Sequence, residues 1–156
     1  YSKIAGVMKR FLLGFLFLAT FACSPKSSDK DNTLAQISNP DVMKYAVNGK
    51  ALYENYCANC HQKDGKGLGK LIPPLNESDY FKESIHRSVW IMKNGQKGEI
   101  IVNGEAYNQA MPANPQLTAL EISQISTYLY NIWGNKEGVI SSKDVEKFLS
   151  EKPENL

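Results

Sequence analysis

At 156 residues the chain has the length of one domain with short additions. Its formal charge of +2, from eighteen basic and sixteen acidic residues, carries no bias toward polyanions, so nucleic acid is not an expected partner. Three cysteines and two histidines leave little material for a multi-ligand metal centre.

The first segment reads as an address. Met8-Lys9-Arg10 precedes the uninterrupted apolar run FLLGFLFLATFA, which ends at Cys23. That run is shorter than the roughly 20 residues needed to span a bilayer, and it suits the h-region of a signal peptide behind a basic start. Residues 1–22 are therefore expected to be a signal peptide beginning at Met8. Cys23, directly after it, reads as the lipidated N-terminus of a processed bacterial lipoprotein, although Thr20 and Phe21 depart from the usual lipobox. Ordinary cleavage before a free Cys23 and a retained membrane anchor are the alternatives. Either processing route exports the chain, and the expected location is the periplasmic side of the cytoplasmic membrane. Removal of the segment takes away Lys3, Lys9 and Arg10 and leaves fifteen basic against sixteen acidic residues. Residues 23–41, with the polar SPKSSDKDNT near their start, are expected to form a flexible tether with a reach of about 25 Å.

In VNGKALYENYC, residues Gly49, Leu52, Tyr53 and Tyr56 have the i, i+3, i+4, i+7 spacing of one helix face. A glycine inside a helix costs up to about 1 kcal/mol against alanine. Close approach of a second helix at Gly49 is the expected compensation; an indifferent surface glycine is the alternative. Next, SDYFKESIHRSVWIMKNG sets Phe81, Ile85, Val89 and Met92 at helical spacing before Gly95. Ile100-Ile101-Val102 and Glu105-Ala106-Tyr107 flank Asn103-Gly104, the turn dipeptide of a type I′ hairpin. This β-ribbon leads to Met111-Pro112.

The segment LTALEISQISTYLYNIWGN opens with Thr118 as N-cap and Glu121 three residues on, a capping box, with Leu117 and Ile122 at staple positions. Ile122, Ile125, Leu129 and Ile132 form its apolar stripe, and Gly134 ends it. Residues 135–156 read as a C-terminal extension with a weak helix, SSKDVEKFLSEK, whose apolar side carries Val145, Phe148 and Leu149.

The chemistry concentrates in YCANCHQKDGKG. A structural zinc site wants four protein ligands, usually in two pairs, and no second pair exists. A thioredoxin-like dithiol would open a helix after a strand in a βαβ pattern, which the sequence lacks. The third reading is C-x-x-C-H attachment of haem c. Cys57 and Cys60 lie about one helical turn apart, close enough for thioethers to two vinyl groups on one porphyrin edge. His61 then stands where its ring can turn beneath the plane to bind iron.

With CANCHQKDGKG, PPL, VNGEAYNQAMPA and YLYNIWGN in place, residues 46–134 resemble a class I monohaem cytochrome c. The likeness extends to small bacterial cytochromes and to haem domains fused to copper nitrite reductases. It implies a mainly α domain, residues 42–134, wrapped around one covalently bound haem, with a short β-hairpin before the distal methionine. It implies His61 as proximal ligand, Met111 as distal ligand, and Pro73 as the residue whose carbonyl accepts the proximal imidazole N–H. A neutral thioether ligand favours iron(II) and raises the potential.

His86 offers a bis-histidine alternative but sits one residue off the Ile85–Val89 stripe. Met8, Met43 and Met92 are weaker candidates than Met111, with Met92 reading as helix core. Asn108 is placed to reach the Met111 sulfur or a haem propionate. DGKGLGK fails the Walker A spacing, since only three residues lie between Gly65 and Gly69 where four are needed, and Leu71 follows Lys70. Lys63, Lys66, Lys70, Lys93 and Lys97 are candidates for a positive collar that steers an acidic redox partner; a solvated lysine surface is the alternative.

These features predict a non-enzymatic one-electron carrier of a respiratory chain. It would take electrons from a quinol-oxidising complex and pass them to a terminal oxidase or a nitrite or nitrous oxide reductase. The competing class is a haem-based ligand sensor or peroxidase-like enzyme with a displaceable distal ligand.

Overall fold

The computed structural model describes residues 34–154 and Leu156. The expected signal peptide, Cys23 and the start of the expected tether lie outside the described residues. Among the described residues no helix is long and apolar enough to cross a membrane.

The first long helix, α1 (Pro40–Tyr56), starts where its sequence stops any earlier turn. The Asn39 side chain accepts the Asp41 N–H at 2.9 Å and the Val42 N–H at 3.2 Å, and Pro40 fills the first turn without needing a donor. Before it, a 3-10 turn at Leu34–Gln36 and Ile37 bring Leu34 and Ile37 against the core. The tether expected to reach residue 41 therefore ends earlier: two apolar side chains and a capped helix start hold its last part.

Helix α1 breaks at Cys57, and one further turn, α2 (Ala58–His61), carries the second cysteine and the histidine. The single helix expected over residues 78–95 is two, α3 (Asp79–Glu83) and α4 (Ile85–Asn94). Ser84 is extended between them, at φ −150° and ψ 110°, and its hydroxyl caps the Arg87 N–H at 3.1 Å. The apolar stripe survives the break: Phe81, Val89 and Met92 are all buried. Gly95 closes α4 at φ 79°.

Strands β1 (Ile100–Val102) and β2 (Glu105–Tyr107) pair antiparallel, with Val102 opposite Glu105. Asn103 and Gly104 both take positive φ, 52° and 81°, as the type I′ turn requires. Val102 and Tyr107 turn inward, whereas Ile101 faces solvent.

Helix α5 (Ala119–Ile132) has the expected capping box between Thr118 and Glu121. It crosses α1 in the most extensive helix–helix packing of the described residues. A Cβ on Gly49 would stand 1.9 Å from the Gln124 carbonyl oxygen and 2.8 Å from the Tyr128 Cβ, so the two backbones touch there. The glycine's helix cost is offset by this approach.

The C-terminal extension is part of the core. Helix α6 (Ser142–Ser150) has its own capping box, Ser141 with Asp144, and fully buries Val145 against α4 and α5. The linking segment is tied to α5: Ser123 Oγ donates to the Ile140 carbonyl at 2.6 Å. Asn131 donates to the Gly138 carbonyl at 2.7 Å and accepts the Gly138 N–H at 3.2 Å. A boundary after residue 134 cuts through these contacts, because the buried polar face of α5 needs partners that only the extension supplies.

Candidate functional site

One deep, mostly apolar cleft opens between α1–α2, the 72–75 loop, α3–α4 and the segment running from β1 to Asn114. It is lined by Cys57, Cys60, His61 and Pro73 on one side and by Met92, Val102, Tyr107 and Met111 among the others. All five expected site residues of the folded part, Cys57, Cys60, His61, Pro73 and Met111, thus meet in one place.

The break of α1 at Cys57 puts the two cysteines at the rim, Cys57 half-buried and Cys60 exposed, while His61 turns inward and is buried. The His61 Nδ1 lies 3.1 Å from the Pro73 carbonyl oxygen. A carbonyl only accepts, so Nδ1 carries the proton and the Nε2 lone pair is left available. Burial holds the imidazole below its ordinary range, partly opposed by the Pro73 hydrogen bond. The ring is therefore a neutral donor.

The 62–76 loop is fastened to the helices on both sides. Tyr53, buried against Trp133 at 5.4 Å between ring centroids, donates its hydroxyl to the Gln62 carbonyl at 2.6 Å. The Gly65 carbonyl accepts the N–H groups of Leu75 and Asn76, at 2.8 and 3.0 Å. The Gly67 N–H donates to the His61 carbonyl at 3.0 Å. These bonds carry Pro73 back to His61.

The opposite wall is held by main chain. Gln96 and Met111 form a two-way bridge, with N–H to carbonyl distances of 3.0 and 2.9 Å. Gly95 beside it has no room for a Cβ, which would stand 2.6 Å from the Met111 carbonyl oxygen. The Asn114 amide donates to the Met92 carbonyl at 3.1 Å and closes the far end.

The cleft suits haem and not the competing chemistries. Its walls are chiefly apolar, its rim holds two thiols one turn apart, and its interior offers one neutral imidazole and soft thioether sulfurs. A redox dithiol needs a stabilised thiolate. Burial, with the Cys60 charge beside it, instead pushes the Cys57 thiol up to about 12. Among the described residues no group of three or more His, Cys, Asp or Glu side chains is arranged to hold a metal ion by itself.

The bis-histidine alternative loses its support, as the off-stripe position of His86 suggests: His86 does not line the cleft, its Nε2 lies 2.8 Å from the Glu151 carbonyl oxygen and its ring stacks on Phe148. Asn108 is exposed and outside the cleft, while Gln109 and Asn114 line it. Met92 lies on the cleft wall as well as in the helix core. Of the lysine collar, Lys66 pairs with Asp64 and Lys70 with Glu105, at 3.5 and 3.2 Å, and Lys93 donates to the Pro115 and Leu117 carbonyls. Lys63 and Lys97 remain without an ion pair among the described residues. Sequence reasoning missed Tyr80, a cleft residue whose ring lies 3.7 Å from the buried Arg87 guanidinium. Nothing in the local pattern signals that stack.

Comparison with known proteins agrees with this chemistry. Residues 46–133 match the family described as Cytochrome c. A cytochrome c-552 of Thermus thermophilus is 28% identical over 155 residues, covering 96% of this chain and 86% of the relative. The cytochrome c subunit of the quinone alcohol dehydrogenase of Gluconacetobacter polyoxogenes is 27% identical over 112 residues, 65% of this chain and 22% of the relative. The fructose dehydrogenase cytochrome subunit of Gluconobacter japonicus is 28% identical over 133 residues, 79% of this chain and 26% of the relative. The chain thus spans about a quarter of those two dehydrogenase subunits and most of the cytochrome c-552. With its thiol pair, neutral imidazole and apolar cleft inside a family match that covers more than half of its length, the chain belongs to the cytochrome c family, as a class I monohaem electron carrier with covalently attached haem c.

Proposed function

We propose that the protein carries single electrons in a respiratory chain, from a quinol-oxidising complex to a terminal oxidase or to a nitrite or nitrous oxide reductase. In this reading Cys57 and Cys60 would hold the haem through thioethers, and His61 Nε2 and the Met111 sulfur would ligate its iron. The haem supplies a one-electron iron couple. The protein's part would be to supply both His61 and Met111 as ligands, leaving no position for a substrate on the metal.

The observation that carries the reading is the His61–Pro73 hydrogen bond. It places the ring proton on Nδ1, and burial keeps the imidazole neutral with Nε2 unprotonated, while the Gln96 bridge presents Met111 on the same cleft. Cys60 and Tyr56 at the rim are exposed, so electrons have a short path to a partner on that side. A small transient interface is the usual form of such encounters. Lipidation at Cys23, on the periplasmic side of the cytoplasmic membrane, would keep the carrier beside its membrane partners.

A second donor class has its own support. Two relatives are named as cytochrome subunits of dehydrogenases. By that analogy a dehydrogenase would replace the quinol-oxidising complex as electron source.

The test is spectroscopic. The purified protein should retain its haem through acidified organic extraction, and the ferric form should be low-spin with a sulfur-to-iron charge-transfer band. A high-spin ferric spectrum, or ready carbon monoxide binding by the reduced protein, would instead favour the sensor or peroxidase-like alternative.

A further inference from the structure

We propose that Gly67 is a positioning residue for the proximal imidazole, holding the Pro73 carbonyl where the His61 ring donates to it. The inference rests on the reading of His61 as the iron ligand and adds a residue to it.

Gly67 lies against the backbone of both residues that form that hydrogen bond. Its N–H donates to the main-chain carbonyl of His61 at 3.0 Å. On its other side, a Cβ would stand 2.2 Å from the Ile72 carbonyl oxygen and 2.6 Å from the Pro73 carbonyl oxygen. The next residue continues the contact, with the Leu68 N–H donating to the Ile72 carbonyl at 3.0 Å. The backbone at 67–68 thus lies flush against the backbone at 72–73. Only a residue without a side chain fits, and its φ of +69° is one that glycine adopts freely.

Any side chain at 67 must push the Pro73 carbonyl away, because the atoms in its way are main chain and cannot rotate aside. The His61 Nδ1–H would then lose or lengthen its bond. A proximal histidine deprived of that partner is a weaker donor to iron. Weaker donation stabilises iron(III) less and moves the reduction potential upward.

The same loop contains its own control. Gly69 also has a positive φ, +52°, yet a Cβ there would meet nothing within 4 Å. Alanine at either position strains the backbone; alanine at 67 alone also collides with the carbonyl.

The test compares Gly67→Ala and Gly69→Ala in the full haem protein, by reduction potential and by the NMR signal of the His61 ring N–H in the reduced form. Gly67→Ala should raise the potential and speed exchange of the ring proton. Gly69→Ala should lower thermal stability and leave both readouts in place. An unchanged potential in Gly67→Ala, or an equal shift in Gly69→Ala, overturns the proposal. If Gly67→Ala does not accumulate, hydrogen exchange in the unmodified protein decides. After correction for intrinsic rates, the Gly67 amide and the His61 ring proton should share one opening rate, and a Gly67 amide about a hundredfold faster would refute the clamp. Absence of the sulfur–iron band from the unmodified protein would defeat the Met111 assignment alone, since the ring proton reports on His61 whatever lies opposite.

Discussion

Asp79 and Asn103 hold each other in both directions: the Asp79 carboxylate accepts the Asn103 N–H at 2.8 Å, and the Asn103 side-chain oxygen accepts the Asp79 N–H at 3.0 Å. This clasp joins the start of α3 to the tip of the β-ribbon, two pieces of chain that both border the cleft. The Asn103 N–H, and after it the Tyr80 N–H, hold the Asp79 carboxyl below the usual carboxylate range. A depressed acid stabilises the fold above its unfolded pKa, and the contribution is lost as pH falls through the lower folded value. The pH window therefore lies below about 4. On acidification through it, the melting temperature of the unmodified protein should fall more steeply than that of Asp79→Ala. Parallel pH profiles would show that the clasp has no energetic role.

Gly49→Ala tests the α1–α5 joint. Alanine is the better helix former by up to about 1 kcal/mol. Its methyl group would nevertheless collide with the Gln124 carbonyl, and overpacking of this kind costs about 1–3 kcal/mol or more. The net expectation is a loss of about 2 kcal/mol, read as a lower denaturant midpoint at unchanged slope. A more stable variant would mean that the helices part readily at this point.

Asn131→Ala tests the attachment of the C-terminal extension. The change removes two donated bonds, to the Thr127 and Gly138 carbonyls at 2.7 Å each, and one accepted from Gly138. It leaves the Gly138 groups without their partner, at a cost of about 1–3 kcal/mol. Amide exchange should accelerate first in α6, before the core of α5, because the extension opens as a unit. Uniform acceleration over the chain would argue against a separable unit.

Met111→Ala tests the distal ligand. The bridge to Gln96 uses main-chain atoms only, so the wall should stay in place when the sulfur is removed. The expected outcome is a fall in reduction potential and new carbon monoxide binding in the reduced state. If both properties persist unaltered, Met92 on the same cleft wall becomes the residue to substitute next.

Legibility from sequence followed the range of the interaction. The Thr118–Glu121 box and the Asn103-Gly104 turn are written within four residues, and both are found where expected. The split at Ser84 escaped because an apolar stripe of helical spacing runs across it, and the hydroxyl cap that breaks the helix leaves that spacing unchanged. His61, Cys57 and Cys60 were readable from one contiguous motif; Pro73 and Met111 needed family resemblance. The Gln96–Met111 bridge and the Arg87–Tyr80 stack depend on how distant backbone segments meet, and periodicity carries no record of that. The extension after Gly134 was undervalued because its value lies in satisfying Ser123, Thr127 and Asn131 on another helix.

The contact at Gly49 has a topological corollary. Apart from Leu129, the residues that line the cleft fall between Tyr56 and Asn114, a single excursion of chain whose two feet are α1 and α5. A protease that cuts once inside the excursion, for instance beside exposed Leu68 or Leu71, would release no fragment. The severed halves would still travel as one particle, gripped at the ankle by two abutting helices.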